Sequence, residues 1–491
     1  MRLPATLAIL LLLPATLAGQ DAIQYLTLDD AIRLALANNR SIKVDAYSRS
    51  IARANLLSAY GAFDPSVNFD RSYSEAYSPS LASADNGFLP PATLVQTDNY
   101  SLTLTGTLPW GTAYSLGGNS QNQRGSYNGF INNFLTTGGL TITQPLLRGF
   151  GLGVNLLGVR LAKADRAISD WQYRQTVIDT VTNVVVAYSN LAFAHASLRT
   201  AELSRQLAAG LVTENQTRFK VGSMSENDVT TARAQMALRE EAIASAERLV
   251  RDNDNQLRQL MGEGSFSNDG PLLAIDLAPP SEVDLQPATD LQKAYASRPD
   301  YQQAHLLLTK DRYNEASARN QLLPTVNFVG SYGYTGLDQD FAASRRMVFN
   351  QENRAYSAGL EVSVPLTSAQ GRGAARAARL QVRKDEANLQ LMRDTIALSV
   401  AAAAGQVETT KKRVAAAKAA RDLNDQLLQA ELKRLRAGTG TTFAVLYQQT
   451  QLIEADVDFA QALADQRSAV ANYEHEIGTT LDVHHITLTD K

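Results

Sequence analysis

The feature that most constrains this chain of 491 residues is an internal duplication. FDPSVNF at 63–69 is matched by LLPTVNF at 322–328, and TITQPLL, which ends at Leu147, is matched by VSVPLTS, which ends at Ser368. Gly222 and Gly438 are 216 residues apart, as are Gly262 and Gly478. Because a repeat of this kind means one structural unit used twice, the sequence predicts two copies of helix, strand, loop, strand, long helix, turn and shorter helix.

The two long helices are predicted from composition and period. Residues 154–217 and 372–435 are rich in Ala, Leu, Arg, Gln, Glu and Lys and contain no Pro, and their apolar residues recur every three to four positions. A helix of about 64 residues is about 95 Å long, far longer than a single domain. The shorter helices of each copy add up to nearly this length, so we expect a rod in which two of them pack along one long helix.

Segments that alternate apolar and polar residues lie between the helices, at 67–77, 140–144, 326–334 and 360–364. This alternation fits a soluble sandwich or a membrane barrel with a polar lumen. We expect two strands per copy, or four in all, with long loops at 78–98 and 335–354; a strand-like segment at 101–118 leaves open a further pair. Since four strands cannot close around a channel and lipid does not tolerate an open sheet edge, a membrane barrel needs strands from several chains.

The N-terminus and the bulk composition bear on the compartment. Residues 1–19 combine Arg2, an apolar run and a small-residue site, which is the pattern of a cleaved signal peptide. The alternative is a membrane anchor, but the apolar run is shorter than the ~20 residues that a spanning helix needs. The chain has no cysteine, which excludes disulfides and thiolate metal sites. A net charge of −3 argues against nucleic acid as a partner.

Residues that carry enzymatic chemistry form no recognisable pattern. The five histidines are scattered without HExxH spacing. GFGLG at 149–153 lacks the third glycine of a dinucleotide fingerprint, and we interpret it as a strand-to-helix turn with Phe150 at a lipid interface. His484 and His485 are expected in a solvated tail. We therefore predict no enzyme activity, no cofactor and no metal.

The breaks in the long helices are predicted to be hairpin tips. In KVGSMSEND, Gly222 has the position of a glycine that ends a helix, and Ser225 with Asp228 has the spacing of a capping box for the next helix. In RAGTGTTFAV, Gly438 and Gly440 are followed by Thr441 and Thr442, either of which can cap.

In this order and spacing, the features resemble the TolC-type outer-membrane efflux and secretion channels of Gram-negative bacteria. The resemblance rests on the PSVNF and PTVNF strands, on the QPL and VPL strand ends that lead into long helices, and on the Lys-Val-Gly and Arg-Ala-Gly turns. It implies a long coiled-coil α-helical barrel and a membrane β-barrel. In the homotrimer so implied, each protomer gives four strands to one 12-stranded barrel.

The resemblance also implies roles for the tips, which would form the periplasmic entrance. The docking positions for a periplasmic adaptor protein would then be Val221, Gly222, Ser223, Ala437, Gly438 and Thr439. The aperture positions would be Glu226, Asp228, Ala444 and Tyr447. Known members carry a pair of aspartates where this chain has Ala444 and Tyr447, so the resemblance implies a different or weaker charge ring here, or closure by aromatic packing.

The expected organisation is a signal peptide at 1–19, a first repeat at 20–262, a linker at 263–286, a second repeat at 287–478 and a C-terminal tail at 479–491. The expected function is a passive exit duct in the outer membrane, serving a tripartite efflux pump or a type I secretion system. Its partners would be outer-membrane lipid, an adaptor and an inner-membrane pump of RND, ABC or MFS type. The alternatives are a periplasmic coiled-coil scaffold or adaptor without a barrel and, more remotely, a secreted hydrolase.

Overall fold

A computed structural model describes residues 24–79, 92–262, 272–274, 280, 283–437 and 439–488. The predicted signal peptide 1–19 and most of the predicted linker 263–286 lie outside these residues. The elements are, in chain order, β1 Gln24–Leu26, α1 Leu28–Asn38, α2 Arg40–Tyr60, β2 Ser66–Ser78, β3 Thr93–Thr107, β4 Ala113–Gly125, β5 Phe134–Pro145, α3 Leu152–Asn155, α4 Leu157–Lys220, α5 Glu226–Met261, β6 Leu272–Ala274, α6 Pro287–Ser297, α7 Pro299–Asn320, β7 Thr325–Asp338, α8 Phe341–Phe349, β8 Arg354–Ser363, α9 Ala369–Arg436, α10 Thr442–Ile477 and α11 Thr480–Val483.

The predicted long helices are confirmed. Helices α4 and α9 run without interruption for 64 and 68 residues, and each is followed, after a short turn, by a helix of 36 residues. The chain divides into a helical unit, residues 1–45, 173–299 and 394–491, and a sheet unit, residues 46–172 and 300–393.

The core of the helical unit is built on one stripe of α4. Val177, Val181, Val184, Tyr188 and Leu191 recur at helical spacing and are fully buried. They pack in one cluster with buried residues of other elements: Ala31, Ala35, Leu257, Met261 and Leu481. Helix α4 is also the one described helix that is long and apolar enough to cross a membrane, but 72% of its apolar window is buried within the protein, as in a core helix.

Each copy makes the same kind of contact where its shorter helix ends, at the end of α5 in the first copy and of α10 in the second. Gly262 and Gly478 end these helices with a φ of +79°, in the left-handed region that favours glycine. A Cβ on Gly262 would lie 2.4 Å from the carbonyl oxygen of Asn38, at the break between α1 and α2. The equivalent break between α6 and α7, at Ser297, lies against Gly478. The duplication is therefore structural as well as sequential.

The C-terminal segment is only partly the solvated tail that was predicted, because His485 is exposed and His484 is half-buried. Ile486 and Leu488 pack against the core of the helical unit. Desolvation lowers the pKa of His484 below its usual value. The Ile486 amide also donates to the carbonyl of Leu481 at 2.8 Å, so packing and a backbone hydrogen bond both hold the segment.

The sheet unit contains one antiparallel sheet of six strands, in the order β2-β3-β4-β5-β7-β8. The expectation of four strands is wrong, because the segment at 101–118 contributes residues 101–107 to β3 and residues 113–118 to β4. A tight turn joins them: the Leu108 amide donates to the carbonyl of Thr112 at 2.8 Å, and Gly111 adopts a φ of +100°. The first copy thus supplies four strands and the second two.

The segment 335–354, which was expected to be a loop, also contains regular secondary structure. Its first residues complete β7, and Phe341–Phe349 form helix α8. Asp340 caps this helix by accepting a hydrogen bond from the Ala343 amide at 2.9 Å. The expected loop at 78–98 includes the start of β3 at Thr93, and residues 80–91 lie outside the described residues.

Candidate functional site

The first tip, residues 218–228, turns from α4 into α5. Gly222 has a φ of +75°, and its amide donates to the carbonyl of Phe219 at 3.0 Å. The predicted capping box is confirmed: the Asp228 amide donates to Ser225 Oγ, and the Ser225 amide donates to the Asp228 carboxylate, both at 3.3 Å. Val221 stands out from this turn and is 74% exposed.

The second tip, residues 434–447, turns from α9 into α10. Thr441 caps α10 by accepting from the Ala444 amide at 3.2 Å. A Cβ on Gly440 would lie 2.8 Å from the Leu435 nitrogen, so the close backbone approach requires glycine there. Gly438, predicted as a docking residue, lies outside the described residues, while its neighbours Ala437 and Thr439 are exposed.

A hydroxyl closes both tips in the same way, which sequence reasoning missed. Ser223 Oγ donates to the carbonyl of Arg218 at 3.0 Å, and Thr439 Oγ1 donates to the carbonyl of Arg434 at 3.3 Å. The amides of Ser223 and Thr439 donate to the same two carbonyls. The signal was present, because both hydroxyl residues follow their arginine by five positions. Ser223 and Thr439 therefore stabilise the turns, whatever else they contact.

The four predicted aperture residues differ in exposure and in bonding. Asp228 has its carboxylate engaged in the capping box, and Ser225 Oγ also donates to it at 2.6 Å. Glu226 is exposed, Ala444 is half-buried in the first turn of α10, and Tyr447 is 58% exposed. The first tip thus presents two exposed carboxylates, of which Asp228 is held in place by the capping box.

The second tip carries an aromatic pair, of which only Tyr447 was predicted from the sequence. Phe443 is 75% exposed and precedes Tyr447 by four residues, so the two rings share one face of α10. The last turn of α9 adds Lys433, Arg434 and Arg436. The second tip therefore presents exposed aromatic and basic side chains.

The sheet has two faces of opposite character. The register places one hydroxyl in every strand along a single row: Ser66, Thr105, Ser115, Thr141, Ser331 and Ser357. The adjacent row, on the other face, is apolar in every strand: Val67, Leu104, Leu116, Leu140, Tyr332 and Tyr356. We call these faces the hydroxyl face and the apolar face.

The apolar face is exposed. Val67 is 70% exposed and Tyr356 72%, and Phe69, Leu102 and Leu360 on the same face each exceed 55%. Soluble proteins rarely leave so continuous an apolar surface open to water. Farther along the strands the same face carries charged side chains, Arg71, Asp98 and Arg124 among them, so the surface that requires a covering is an apolar band and not the whole face.

Helix α8 lies on the apolar face near the end of β7. Ser344 Oγ hydrogen-bonds Thr136 Oγ1 at 2.8 Å, and the rings of Phe341 and Phe134 are 5.7 Å apart. A Cβ on Gly336 would lie 2.0 Å from the Ser344 carbonyl oxygen, so glycine is required for this contact. The helix covers part of β5 and β7 and leaves the rest of the face open.

A charged cluster in the helical unit was not predicted. His475 Nε2 lies 2.8 Å from Asp179 Oδ1, and Glu476 is bonded by the Arg298 guanidinium and, at 2.7 Å, by Ser399 Oγ. The hydrogen bonds to Asp179 and Glu476 raise the pKa of His475 to about 9. The hydrogen bond with His475 lowers the pKa of Glu476 to about 2. The residues come from four separate stretches of chain, so sequence spacing could not reveal the cluster.

Among the described residues, no group of three or more His, Asp or Glu is placed to hold a metal ion.

The sequence of this chain matches one known protein family. A sequence profile described as outer membrane efflux protein matches residues 111–263 and 291–478. Comparison with curated protein sequences gives no match.

Several solved structures resemble the fold of this chain over most of its length. The CmeC outer membrane channel of Campylobacter jejuni is 17% identical with a TM-score of 0.66, over 92% of this chain and 86% of that one. VceC of Vibrio cholerae is 17% identical with a TM-score of 0.66, over 92% and 96%. The open state of the MtrE outer membrane channel of Neisseria gonorrhoeae is 15% identical with a TM-score of 0.66, over 92% and 89%. At these identities the likeness concerns the fold.

Proposed function

Because the chain belongs to the outer membrane efflux protein family, we propose that it is the passive exit duct of a tripartite efflux pump or a type I secretion system. In this proposal three copies insert their sheets in the outer membrane, with the apolar face toward lipid and the hydroxyl face toward water. Their helices line a tunnel in the periplasm. Energy comes from an inner-membrane pump, and a cleaved signal peptide at 1–19 exports the chain.

The observation that carries this proposal is the pair of adjacent rows in the sheet. A wall between lipid and water needs opposite polarity at successive residues of every strand, and a periplasmic scaffold does not. Leu140 and Thr141 are neighbours on β5, and they lie in the apolar and the hydroxyl row respectively.

These two residues provide a matched test. A charged side chain on the lipid face of a barrel is unfavourable, most of all near the midplane, whereas the same charge facing a lumen is solvated. We expect Leu140→Asp to lose most outer-membrane trimers and Thr141→Asp to retain them, measured by membrane fractionation and unheated gel electrophoresis. Equal amounts of membrane trimer for both variants, or a wild-type protein that fractionates with soluble periplasm, would favour the scaffold.

We also propose that the tips are the periplasmic entrance, where an adaptor docks against Val221, Gly222, Ser223, Ala437, Gly438 and Thr439. Two features support this assignment: the exposure of Val221 and the open space around Gly222, where an added Cβ would meet no atom within 4 Å. A side chain at Gly222 would therefore project outward into a partner.

Replacing Gly222 by Val tests docking. Drug tolerance should fall toward that of a deletion strain while trimers persist, because the added bulk meets the partner and the strain of Val at a φ of +75° is confined to an exposed turn. Two controls separate bulk from strain: Gly222→Ala keeps the left-handed backbone with little bulk, and Gly210→Val adds the bulk at an exposed position of α4 that also has nothing within 4 Å of an added Cβ. Normal drug tolerance with Gly222→Val would remove this tip from the docking surface.

A further inference from the structure

The two edges of the six-stranded sheet are open. Within the described residues, β2 and β8 each pair with one strand only, and every residue of both strands is exposed. The edges are 13 and 10 residues long and carry apolar side chains such as Phe69 and Leu360. A long apolar edge is a template for another strand, and lipid cannot satisfy its backbone groups.

The occupant that fits these edges is a second copy of this chain. All five steps across the sheet are antiparallel, so β2 and β8 run in opposite directions. Pairing β8 of one copy with β2 of the next therefore continues the antiparallel order. It also continues both faces, because Ser66 and Ser357 end the hydroxyl row and Val67 and Tyr356 end the apolar row.

We propose that three copies close a barrel of 18 strands, six from each chain, in place of the 12 strands implied by four per chain. This inference rests on the proposed function, since it takes the trimer and the outer membrane from there. It adds the composition of the wall and the seam between copies, which is β2 against β8.

A barrel of this size has a wide lumen. Barrel diameter grows about in proportion to strand number, so 18 strands give about 1.5 times the width of 12, and 16 to 18 strands leave a water-filled channel. The row next to the hydroxyl row on the lumen face contains Gly117, Gly139 and Gly333. Added Cβ atoms there would lie 2.2 to 2.5 Å from carbonyl oxygens of neighbouring strands. These close approaches require glycine and leave this level of the wall without large side chains.

The lumen wall also has little charge. By strand alternation, the charged side chains on the hydroxyl face of the described strands are Asp70 and Glu361. Hydroxyl and amide groups provide most of the remaining polarity. The lumen side of the described strands is therefore polar and mainly uncharged.

The competing arrangement is a wall of four strands per chain, with the β3–β4 hairpin displaced from it. In that arrangement β2 would lie directly beside β5. In the six-stranded sheet Ser66 and Thr141 share a row but are three strand spacings apart, about 14 Å. A disulfide needs Cβ atoms within about 4.5 Å, so it can form only in the four-stranded wall.

Disulfide cross-linking in cells distinguishes the two walls, and the chain has no native cysteine to interfere. Ser66→Cys with Thr141→Cys tests the wall. Ser66→Cys with Thr105→Cys is the positive control, because these residues are register partners whose hydroxyls are 2.9 Å apart. The seam is scanned with Asn68→Cys combined in turn with Ala355→Cys, Ser357→Cys and Gly359→Cys.

We expect the control pair to cross-link within one chain, the 66–141 pair not to cross-link, and at least one seam pair to give dimers and trimers but no larger species. A 66–141 disulfide in a protein that still forms the trimer ladder would overturn the 18-stranded wall and leave the exit duct standing. A membrane-inserted protein without any seam cross-link would overturn the seam. Recovery of the protein from soluble periplasm would overturn the proposed function itself.

Discussion

Three glycines of the helical unit have nearly the same backbone and different surroundings, which allows backbone strain and packing to be separated. Gly222, Gly478 and Gly262 have φ values of +75°, +79° and +79°. An added Cβ would meet nothing within 4 Å at Gly222, the Ser297 carbonyl carbon at 3.1 Å at Gly478, and the Asn38 carbonyl oxygen at 2.4 Å at Gly262.

The effect of Ala at each position follows from these distances. A left-handed backbone costs an L-residue about 1–2 kcal/mol, and the loss of glycine's freedom in the unfolded chain returns about 0.4–1 kcal/mol. Gly222→Ala should therefore cost about 0–1.6 kcal/mol. Overpacking adds about 1–3 kcal/mol, and we place Gly262→Ala at the upper end because a backbone carbonyl must move. Gly478→Ala should lie between the two.

Thermal unfolding of purified protein in detergent, followed by circular dichroism at 222 nm, measures the order. Because large proteins commonly unfold irreversibly, all variants must be heated at one scan rate and compared by rank. We expect the unfolding temperature to fall least for Gly222→Ala and most for Gly262→Ala. Equal losses at all three positions would refute the packing argument and leave only the shared φ.

Three further predictions concern charge and gating. The folded-state pKa of His475 lies above its ordinary value, so its pair with Asp179 contributes stability that is present below about pH 6.5 and lost as the pH rises toward 9. We expect His475→Gln to remove about 2 kcal/mol of the pH-dependent free energy of unfolding, after allowing for the exposure of Asp179. The difference in unfolding temperature between variant and wild type should therefore be larger at pH 6 than at pH 9.5. If the second tip closes by aromatic packing, Phe443→Ala with Tyr447→Ala should raise single-channel conductance in planar bilayers. Unchanged currents in this double variant would exclude closure by these rings. Glu226→Gln should change ion selectivity more than conductance.

The sequence predicted the helices and the tips well because those signals are local. Composition and period gave α4 and α9 to within about three residues, and a glycine followed by Ser225 and Asp228 was sufficient for a turn with a capping box. Each of these depends on residues within one or two turns of the chain.

Features that depend on distant residues were missed or miscounted. The segment at 101–118 alternates like a strand, but only the register with β2 and β5 establishes that it belongs to the same sheet. Helix α8 is stabilised by Gly336 and Thr136 on two strands, and loop composition does not reveal that contact. The partners of His475 are 296 residues away and one residue away, and the more distant one carries no sequence signal. In each case tertiary contacts decided the outcome.

The open edges of the sheet have a genetic consequence. If every barrel is closed by three chains, a chain whose β2 or β8 edge is damaged spoils each assembly that it enters. With equal expression of normal and damaged chains, only about one assembly in eight is free of the damaged chain. Edge variants should therefore be dominant over the wild-type gene, whereas variants that prevent the chain from folding before assembly should be recessive.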